Sequence, residues 1–353
     1  MINSGLLYKY DYSIMWKDLE LVRFNPYRHK AELLNPDYLF YNINKFNVPY
    51  EIVLSFCADR IMMLNRVHCK EILTSCCIDD QSPLGICLLS KALSFRDNYW
   101  IKKCRDSTSW GSVNLYNNLF SEKVARVAIT GEQDTIQIGD DLFTGELTSK
   151  GTRAKCFIRK NNGIYLYKNE NADEINSEMV SHYIASALDL PSVKYYSDTL
   201  YGKYCSACQV LTGEDVELIL YRDFINYFDD PYNTLMNIDA VNFIKMQVFD
   251  YITLNTDRNR DNYGVLRYKG KFHSLYPIYD HDSCFKGRGT NGVYFPTGQT
   301  FARTLDYLKS LDIYRSIINM EMIYSNLSRI GDMITEYKGI DAYNGMMKRV
   351  LNL

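Results

Sequence analysis

The sequence predicts an α+β protein in which a strand-rich lobe is followed by a mostly helical lobe, behind a small N-terminal α+β domain. Two features carry this expectation. The first is length: 353 residues exceed the roughly 250 to 300 at which single hydrophobic cores stop growing. The second is the order of elements, namely a hairpin, one helix, further strands, a glycine-containing turn and then a helical half. Boundaries are placed at 1–120 for the N-terminal domain, 121–213 for the strand-rich lobe and 214–353 for the helical lobe.

In residues 1–120, short mixed segments are broken by Asn25-Pro26, Asn35-Pro36-Asp37 and Ser82-Pro83, turn signals because proline presets φ and Asn or Ser side chains bond nearby backbone. Trp100 and Trp110 flank a polar stretch and are read as packing anchors. Runs at 154–158 and 163–167 surround Lys160-Asn161-Asn162-Gly163, and an Asn-Gly pair between apolar runs predicts an antiparallel hairpin. Met179, Tyr183, Ile184 and Ala187 recur at helical spacing behind Ser177, which predicts a helix over 176–188 that ends before Pro191. Residues 193–212 return to alternation, and Gly213-Glu214-Asp215 reads as a hinge. Val241, Ile244, Val248, Tyr251 and Ile252 form one stripe of a helix over 238–254, and the tail from Thr304 onward reads as helix. The 30 tyrosines and 16 phenylalanines suit half-buried strands better than any cofactor box.

The 40 basic and 42 acidic side chains give a net charge of −2 and a pI near 6.2. That balance supplies no general attraction to nucleic acid or anionic membrane. No apolar run approaches the ~18 residues needed to cross a bilayer, and Asp11, Lys17, Asp18 and Glu20 interrupt any secretory core at the start. The expectation is a cytoplasmic chain with no membrane association and no direct nucleic-acid contact. Ten cysteines include the lone pair Cys205 and Cys208. Without a second pair at ligand spacing they read as buried thiols.

The densest polar stretch is Thr256-Asp257-Arg258-Asn259-Arg260-Asp261-Asn262-Tyr263-Gly264. It lies between an apolar helix and a short strand, a usual position for catalytic loops. As a calcium loop it fails, because the sixth position is Asn262 where Gly is needed and the twelfth is Tyr268 where Glu is needed. A solvated turn with Asx caps is the bland alternative. Phosphoryl transfer is the third reading: kinase loops place an Asp that receives the substrate hydroxyl's proton and, five residues later, an Asn that holds magnesium. Asp257 and Asn262 have that spacing, and Asp280 follows the next apolar strand as a further metal carboxylate. Upstream, Lys168 ends a strand as the phosphate lysine and Glu178 begins the next helix as its orienting carboxylate. Each feature alone is weak, and the agreement of four in order selects this reading. Gly287-Arg288-Gly289-Thr290-Asn291-Gly292 spells GxGxxG but does not open a helix after a strand, so a flexible loop resembling an activation segment is expected there. No GxxxxGK[ST] occurs, which excludes a P-loop NTPase.

Through SKGTRAK, TDRNRDNYG and PIYDHDSCF the chain resembles the HipA-like serine/threonine kinases of the Gram-positive single-chain type, over roughly Leu93 to Gly298. The resemblance implies a bilobal, protein-kinase-like fold that uses ATP and Mg2+. It implies a phosphate loop at Gly151-Thr152-Arg153-Ala154-Lys155 and loop autophosphorylation at Ser149 or Thr152. It maps the base onto Asp257, the metal ligands onto Asn262 and Asp280, with Asp282 as a further contact or a turn cap, and the phosphate lysine onto Lys168. Thr256 stands where eukaryotic kinases have His-Arg before the Asp, and His281-Asp282 where they have Phe-Gly, so their activation-loop regulation does not carry over. The implied acceptor is a protein serine or threonine, as in toxin kinases with an antitoxin partner. A small-molecule hydroxyl and a nucleotide-binding pseudokinase remain the alternatives.

Overall fold

The computed structural model describes residues 7–39, 46–134, 136, 143–286 and 293–353. The GxGxxG stretch at 287–292 therefore lies outside the described residues. The chain divides into two compact units. The first comprises Met1–Asn169, Thr199–Lys203 and Val210–Glu217, and the second Glu170–Asp198, Tyr204–Gln209 and Leu218–Leu353.

The first unit opens with β1 (Tyr12–Trp16), β2 (Leu19–Asn25) and β3 (Lys30–Leu33), followed by α1 (Pro49–Arg60), α2 (Cys69–Ser75), α3 (Pro83–Leu89) and β4 (Tyr99–Lys103). The sheet order is β3-β2-β1-β4, with antiparallel pairing throughout. Ile14 faces Val22 on one side and Ile101 on the other, and all three are buried. The turn signals act through their side chains. Asn25 Oδ1 accepts from the Arg28 amide at 2.7 Å, and Ser82 caps α3 by accepting from the Gly85 amide, with Pro83 in its first turn. Arg60, at the end of α1, is buried and pairs with Asp97 at 2.8 Å while donating to the carbonyls of Ala92 and Tyr99.

After α4 (Trp110–Val113) and α5 (Glu122–Thr130), β5 (Lys155–Lys160) and β6 (Gly163–Asn169) form the hairpin that the Asn-Gly signal predicts, with Lys160 opposite Gly163. Trp100, Trp110, Phe95, Phe120, Phe157 and Ile164 share one core cluster, so the hairpin and the N-terminal sheet bury apolar surface together. The tryptophans are the packing anchors expected of them: their rings lie 6.4 Å apart, and Trp100 Nε1 donates to the Lys17 carbonyl.

The stretch read as a hinge is held along its length within this unit. Asn117 Nδ2 donates to Glu214 Oε1 at 2.8 Å and Asn98 Nδ2 to the Glu214 carbonyl at 2.9 Å. Lys17 pairs with Asp215. Trp16 Nε1 and the Asn98 amide both donate to the buried Glu217 carboxylate. The acids that follow Gly213 are thus held by residues distant in sequence.

After the hairpin the chain continues with α6 (Ala172–Ala187), β7 (Tyr195–Leu200), β8 (Lys203–Gln209), β9 (Val216–Leu220), α7 (Tyr221–Tyr227), α8 (Pro231–Thr253), β10 (Gly264–Tyr268) and β11 (Lys271–Leu275); these belong to the second unit except for Thr199–Lys203 and Val216–Glu217, at the ends of β7, β8 and β9, which count with the first. The second unit continues with a two-stranded ribbon, β12 (Val293–Tyr294) and β13 (Gln299–Thr300). The tail is helical as predicted: α9 (Phe301–Ser310), α10 (Tyr314–Ile317), α11 (Met320–Arg329), α12 (Gly331–Lys338) and α13 (Ile340–Val350).

Helix α6 departs from the sequence reading in start and face. Its cap is Asn171, which accepts from the Glu174 amide in a capping box with the Glu174 side chain. Ser177 lies inside the helix and donates to the Asp173 carbonyl. Tyr183 is exposed, and the buried face is Glu174, Ile175, Glu178, Ser181, Ile184 and Ala185. Burial of polar groups rotated the true face away from the apolar stripe. Helix α8 breaks at Asp239, where φ is −155°. Only its second part, ending in a left-handed Leu254, corresponds to the predicted 238–254 helix, and Val241 in the predicted stripe is exposed. Cys205 and Cys208 are both buried in β8. Among the described residues, no helix is long and apolar enough to cross a membrane.

Candidate active site

Leu254, in the left-handed region at φ +52°, turns the chain out of α8 into the 255–263 loop. Asn255 fixes the exit: its amide donates to the Asp250 carbonyl at 2.9 Å and its Nδ2 to Asp250 Oδ1 at 3.0 Å. The loop is then wound by its own short side chains. Asn255 Oδ1 accepts from the Asp257 amide, Asn259 Nδ2 donates to Asp257 Oδ1 at 3.0 Å, and Asn259 Oδ1 accepts from the Asp261 amide. The alternation that looked like a calcium loop is a set of Asx turns.

Asn262 closes the loop on Asp257. Its Nδ2 donates to the Asp257 carbonyl at 2.7 Å and to Asp257 Oδ2 at 3.2 Å. A carbonyl can only accept, so this bond fixes the amide's orientation and leaves Oδ1 as the oxygen facing away from Asp257. Beneath the loop, Arg258 and Asp250 form an ion pair at 3.0 Å with neither side chain exposed. Burial opposes the Arg258 charge, and the Asp250 carboxylate outweighs it, so the guanidinium's pKa is raised. Arg258 Nη1 also donates to the carbonyls of Asn262 and Tyr279, both at 2.7 Å. One cation thus ties the end of the 255–263 loop to the strand leading to Asp280. Tyr294 donates to the other Asp250 oxygen at 2.7 Å.

Asp280 sits at φ +60°, a strained position for a residue other than glycine and one associated with functional sites. Its amide donates to Tyr195 Oη. The His281 amide donates to Glu178 Oε2 at 2.8 Å. Arg258 Nη2 lies 3.2 Å from His281 Nδ1. Arginine only donates, so Nδ1 accepts and the neutral ring carries its proton on Nε2. Oxygens of Glu170, Glu178 and Asp280 all lie within 4.8 Å of one another. Ser206 Oγ donates to the buried Glu170. Burial raises the Asp257 pKa, the amide groups of Asn259 and Asn262 pull it back down, and the charges of Asp280 and Asp282 push it up. Carboxylates gathered this closely are a place where a hard divalent cation is at home, and Asp280, Asp282 and Asn262 Oδ1 are oxygen donors of the type Mg2+ takes.

Of the residues singled out in the sequence, the structure brings together Asp257, Asn262, Asp280 and Glu178 in the second unit. Asp282 also lies there, whereas Ser149, Gly151, Thr152, Lys155 and Lys168 belong to the first. Lys168 is buried on β6 directly opposite Lys155 at the start of β5. Gly151 has φ +93°, and a Cβ there would lie 2.5 Å from Lys155 Nζ, which itself donates to the Lys150 carbonyl at 2.6 Å. The positive φ is what asks for glycine, since the flexible end of Lys155 can move aside. Ser149 is half-buried and Thr152 exposed.

Sequence reasoning missed Glu170, Asp250, Arg258 and His281. Asp250 could have been found: it is the one charge in Met246-Gln247-Val248-Phe249-Asp250-Tyr251-Ile252, and a charge on a buried helix demands a partner. Glu170 left no such signal.

No protein-family model and no curated protein matches this chain. Among solved structures, HipA of Shewanella oneidensis MR-1, from a toxin–antitoxin complex of HipA, HipB and operator DNA, is similar over 97% of this chain and 96% of its own, with a TM-score of 0.58 and 11% identity. The chain has the HipA fold. The Helicobacter pylori proinflammatory kinase CtkA matches 56% of this chain and 94% of its own, with a TM-score of 0.42 and 18% identity. A HipA-like fold agrees with the α+β architecture expected from the order of elements.

Proposed function

We propose that this chain is a magnesium-dependent kinase that moves the ATP γ-phosphate to a serine or threonine hydroxyl of a protein. The observation that carries this reading is the closed Asp257–Asn262 pair beside Asp280: a carboxylate of raised pKa, held by an amide whose oxygen faces the other way. In this reading, Asp257 accepts the acceptor hydroxyl's proton. The oxygen so freed bonds to the γ-phosphorus as the bond from that phosphorus to the β,γ-bridging oxygen breaks, and ADP leaves. Asn262 and Asp280 hold magnesium, which, when bound, neutralises phosphate charge. Lys168 and the Gly151–Lys155 loop take the phosphates, with Ser149 and Thr152 as sites of self-phosphorylation. Glu178 steadies the Asp280 loop through the His281 amide. Most of the rate enhancement then comes from positioning and charge stabilisation.

HipA of Shewanella oneidensis was solved with HipB and operator DNA, and an antitoxin-type partner belongs to the same proposal. Residues 1–120 are proposed as an accessory domain to a strand-rich nucleotide lobe over 121–213 and a helical lobe over 214–353.

The test is incubation with magnesium and γ-labelled ATP, wild type beside Asp257→Ala, with phosphopeptide mapping. Label in wild type alone supports the reading. Nucleotide binding without turnover, with or without added protein acceptors, would sink it in favour of a binding module.

A further inference from the structure

The Gly151–Lys155 loop is not held by its own hairpin alone. Residues 62–67, which follow α1, run alongside it and supply one donor after another. The Met62 amide donates to the Leu147 carbonyl at 2.7 Å and the Val67 amide to the Thr152 carbonyl at 2.9 Å. Arg66 Nη1 donates to the Glu146 carbonyl at 2.9 Å, and Arg66 Nη2 donates to the Lys155 carbonyl. One guanidinium therefore grips the backbone before the loop and the backbone after it. Arg66 is 3% exposed, and a buried arginine this well placed is a rigid fork, unlike lysine. Behind it, His68 stands at φ +63° with its ring on Gly131, where a Cβ would lie 2.5 Å from Nδ1. This packing fixes the far end of the segment.

The direction of these bonds has a chemical consequence. All four run from donors on residues 62–67 to carbonyls of the loop and its flanks. Carbonyl oxygens are the groups that repel a phosphate, and here those of Glu146, Leu147, Thr152 and Lys155 are occupied by these donors. An anion-binding loop needs that polarity, since backbone N–H groups and lysines must face the ligand. Lys155, whose carbonyl Arg66 holds, stands opposite Lys168 in the hairpin.

We propose that Arg66, with the Met62–Val67 segment, is a positioning element that sets the shape of the nucleotide phosphate loop from outside the catalytic residues. This inference rests on the reading of Gly151–Lys155 as a phosphate loop. It assigns the N-terminal region a direct part in nucleotide affinity.

The test uses the full chain as wild type, Arg66→Lys, Arg66→Met and Val67→Pro. The last removes one donor at a residue whose side chain is exposed and leaves Arg66 in place, so it covers the case in which an Arg66 variant does not fold. Two readouts are taken on each folded variant: affinity for a non-hydrolysable ATP analogue with magnesium, beside the label-transfer rate at saturating ATP, and tryptic cleavage after Lys150 and Arg153 in the loop. Weaker analogue binding, by about tenfold in Arg66→Met and less in Arg66→Lys, is expected to accompany faster loop cleavage, with the saturating rate within about twofold of wild type. Faster cleavage with unchanged affinity makes Arg66 merely structural and overturns the proposal, as does no change in either readout. Failure of the wild type to bind the analogue while loop cleavage still responds would remove the kinase reading itself, and with it the role in nucleotide positioning.

Discussion

Asp257 is pushed toward its protonated form by burial first and by Asp280 and Asp282 second. A carboxylate whose folded pKa lies above its unfolded value contributes stability at low pH and loses it as pH rises through the folded pKa. At neutral pH the ionised Asp257 therefore costs stability in the metal-free protein. Asp257→Asn is expected to keep or raise the melting temperature at pH 7 while lowering label transfer by at least about 100-fold, the scale of a lost general base. A drop in both would mean that Asp257 is a structural residue. In the metal-free chain, Asp282→Asn removes one of the charges acting on Asp257, so the Asp257 carboxyl should titrate at lower pH by carbon NMR. An unchanged midpoint would show that the two groups do not interact. Arg258 presents the opposite case. Removing it strands a fully buried Asp250, and Arg258→Met is expected to cost about 3 to 5 kcal/mol in urea unfolding. Adding Asp250→Asn should recover part of that loss.

Elements differ in how much of their identity is local. The β5–β6 hairpin was legible because Asn-Gly chemistry and two apolar runs decide it within a dozen residues. The helical tail was legible because helical periodicity is equally local. Helix α6 was legible in existence and misread in face, because Glu174, Ser177, Glu178 and Ser181 turn inward and hydrophobic periodicity has no way to register a polar group that is buried for its bonds. From the C-terminal tail, Lys338 donates to the Asp173 carbonyl and to Ser177 Oγ, and Asn176 Nδ2 donates to the Tyr337 carbonyl. The tail helix α12 thereby holds the first turns of the helix that carries Glu178. β10 has a stricter requirement. A Cβ at Gly264 would lie 2.2 Å from the Ile219 carbonyl oxygen, a backbone atom that cannot step aside. Gly264→Ala is expected to destabilise the chain by roughly 1 to 3 kcal/mol, on the scale of overpacking, with Gly264→Val worse, as read by thermal and denaturant unfolding.

At the scale of the whole molecule, ligand linkage gives the simplest check. A ligand that binds only the folded chain stabilises it by RT ln(1 + [L]/Kd), about 2.7 kcal/mol at 100 times Kd. Magnesium and ATP added together should raise the melting temperature, chelation should reverse the rise, and Asp280→Asn should abolish the magnesium-dependent part. A rise with ATP that ignores magnesium and Asp280 would remove both from the site. The near-neutral balance of 40 basic and 42 acidic side chains supplies no general attraction to phosphate, so this stabilisation should depend on specific side chains and not on net charge.

The sequence by itself determined the order of elements, the hairpin, the helical tail and the five-residue spacing from Asp257 to Asn262. All of these are set by short-range stereochemistry and by residue types that few other roles require. Only the tertiary structure decided that Glu170 stands with Glu178 and Asp280, that Arg258 joins two loops over a buried Asp250, that Glu214 and Glu217 accept bonds from residues of the N-terminal region, and that Arg66 holds the carbonyls of Glu146 and Lys155 on either side of the loop's glycine. Each of these joins groups far apart in sequence through hydrogen bonds and charge, and such pairing leaves no periodicity along the chain by which it could be foreseen.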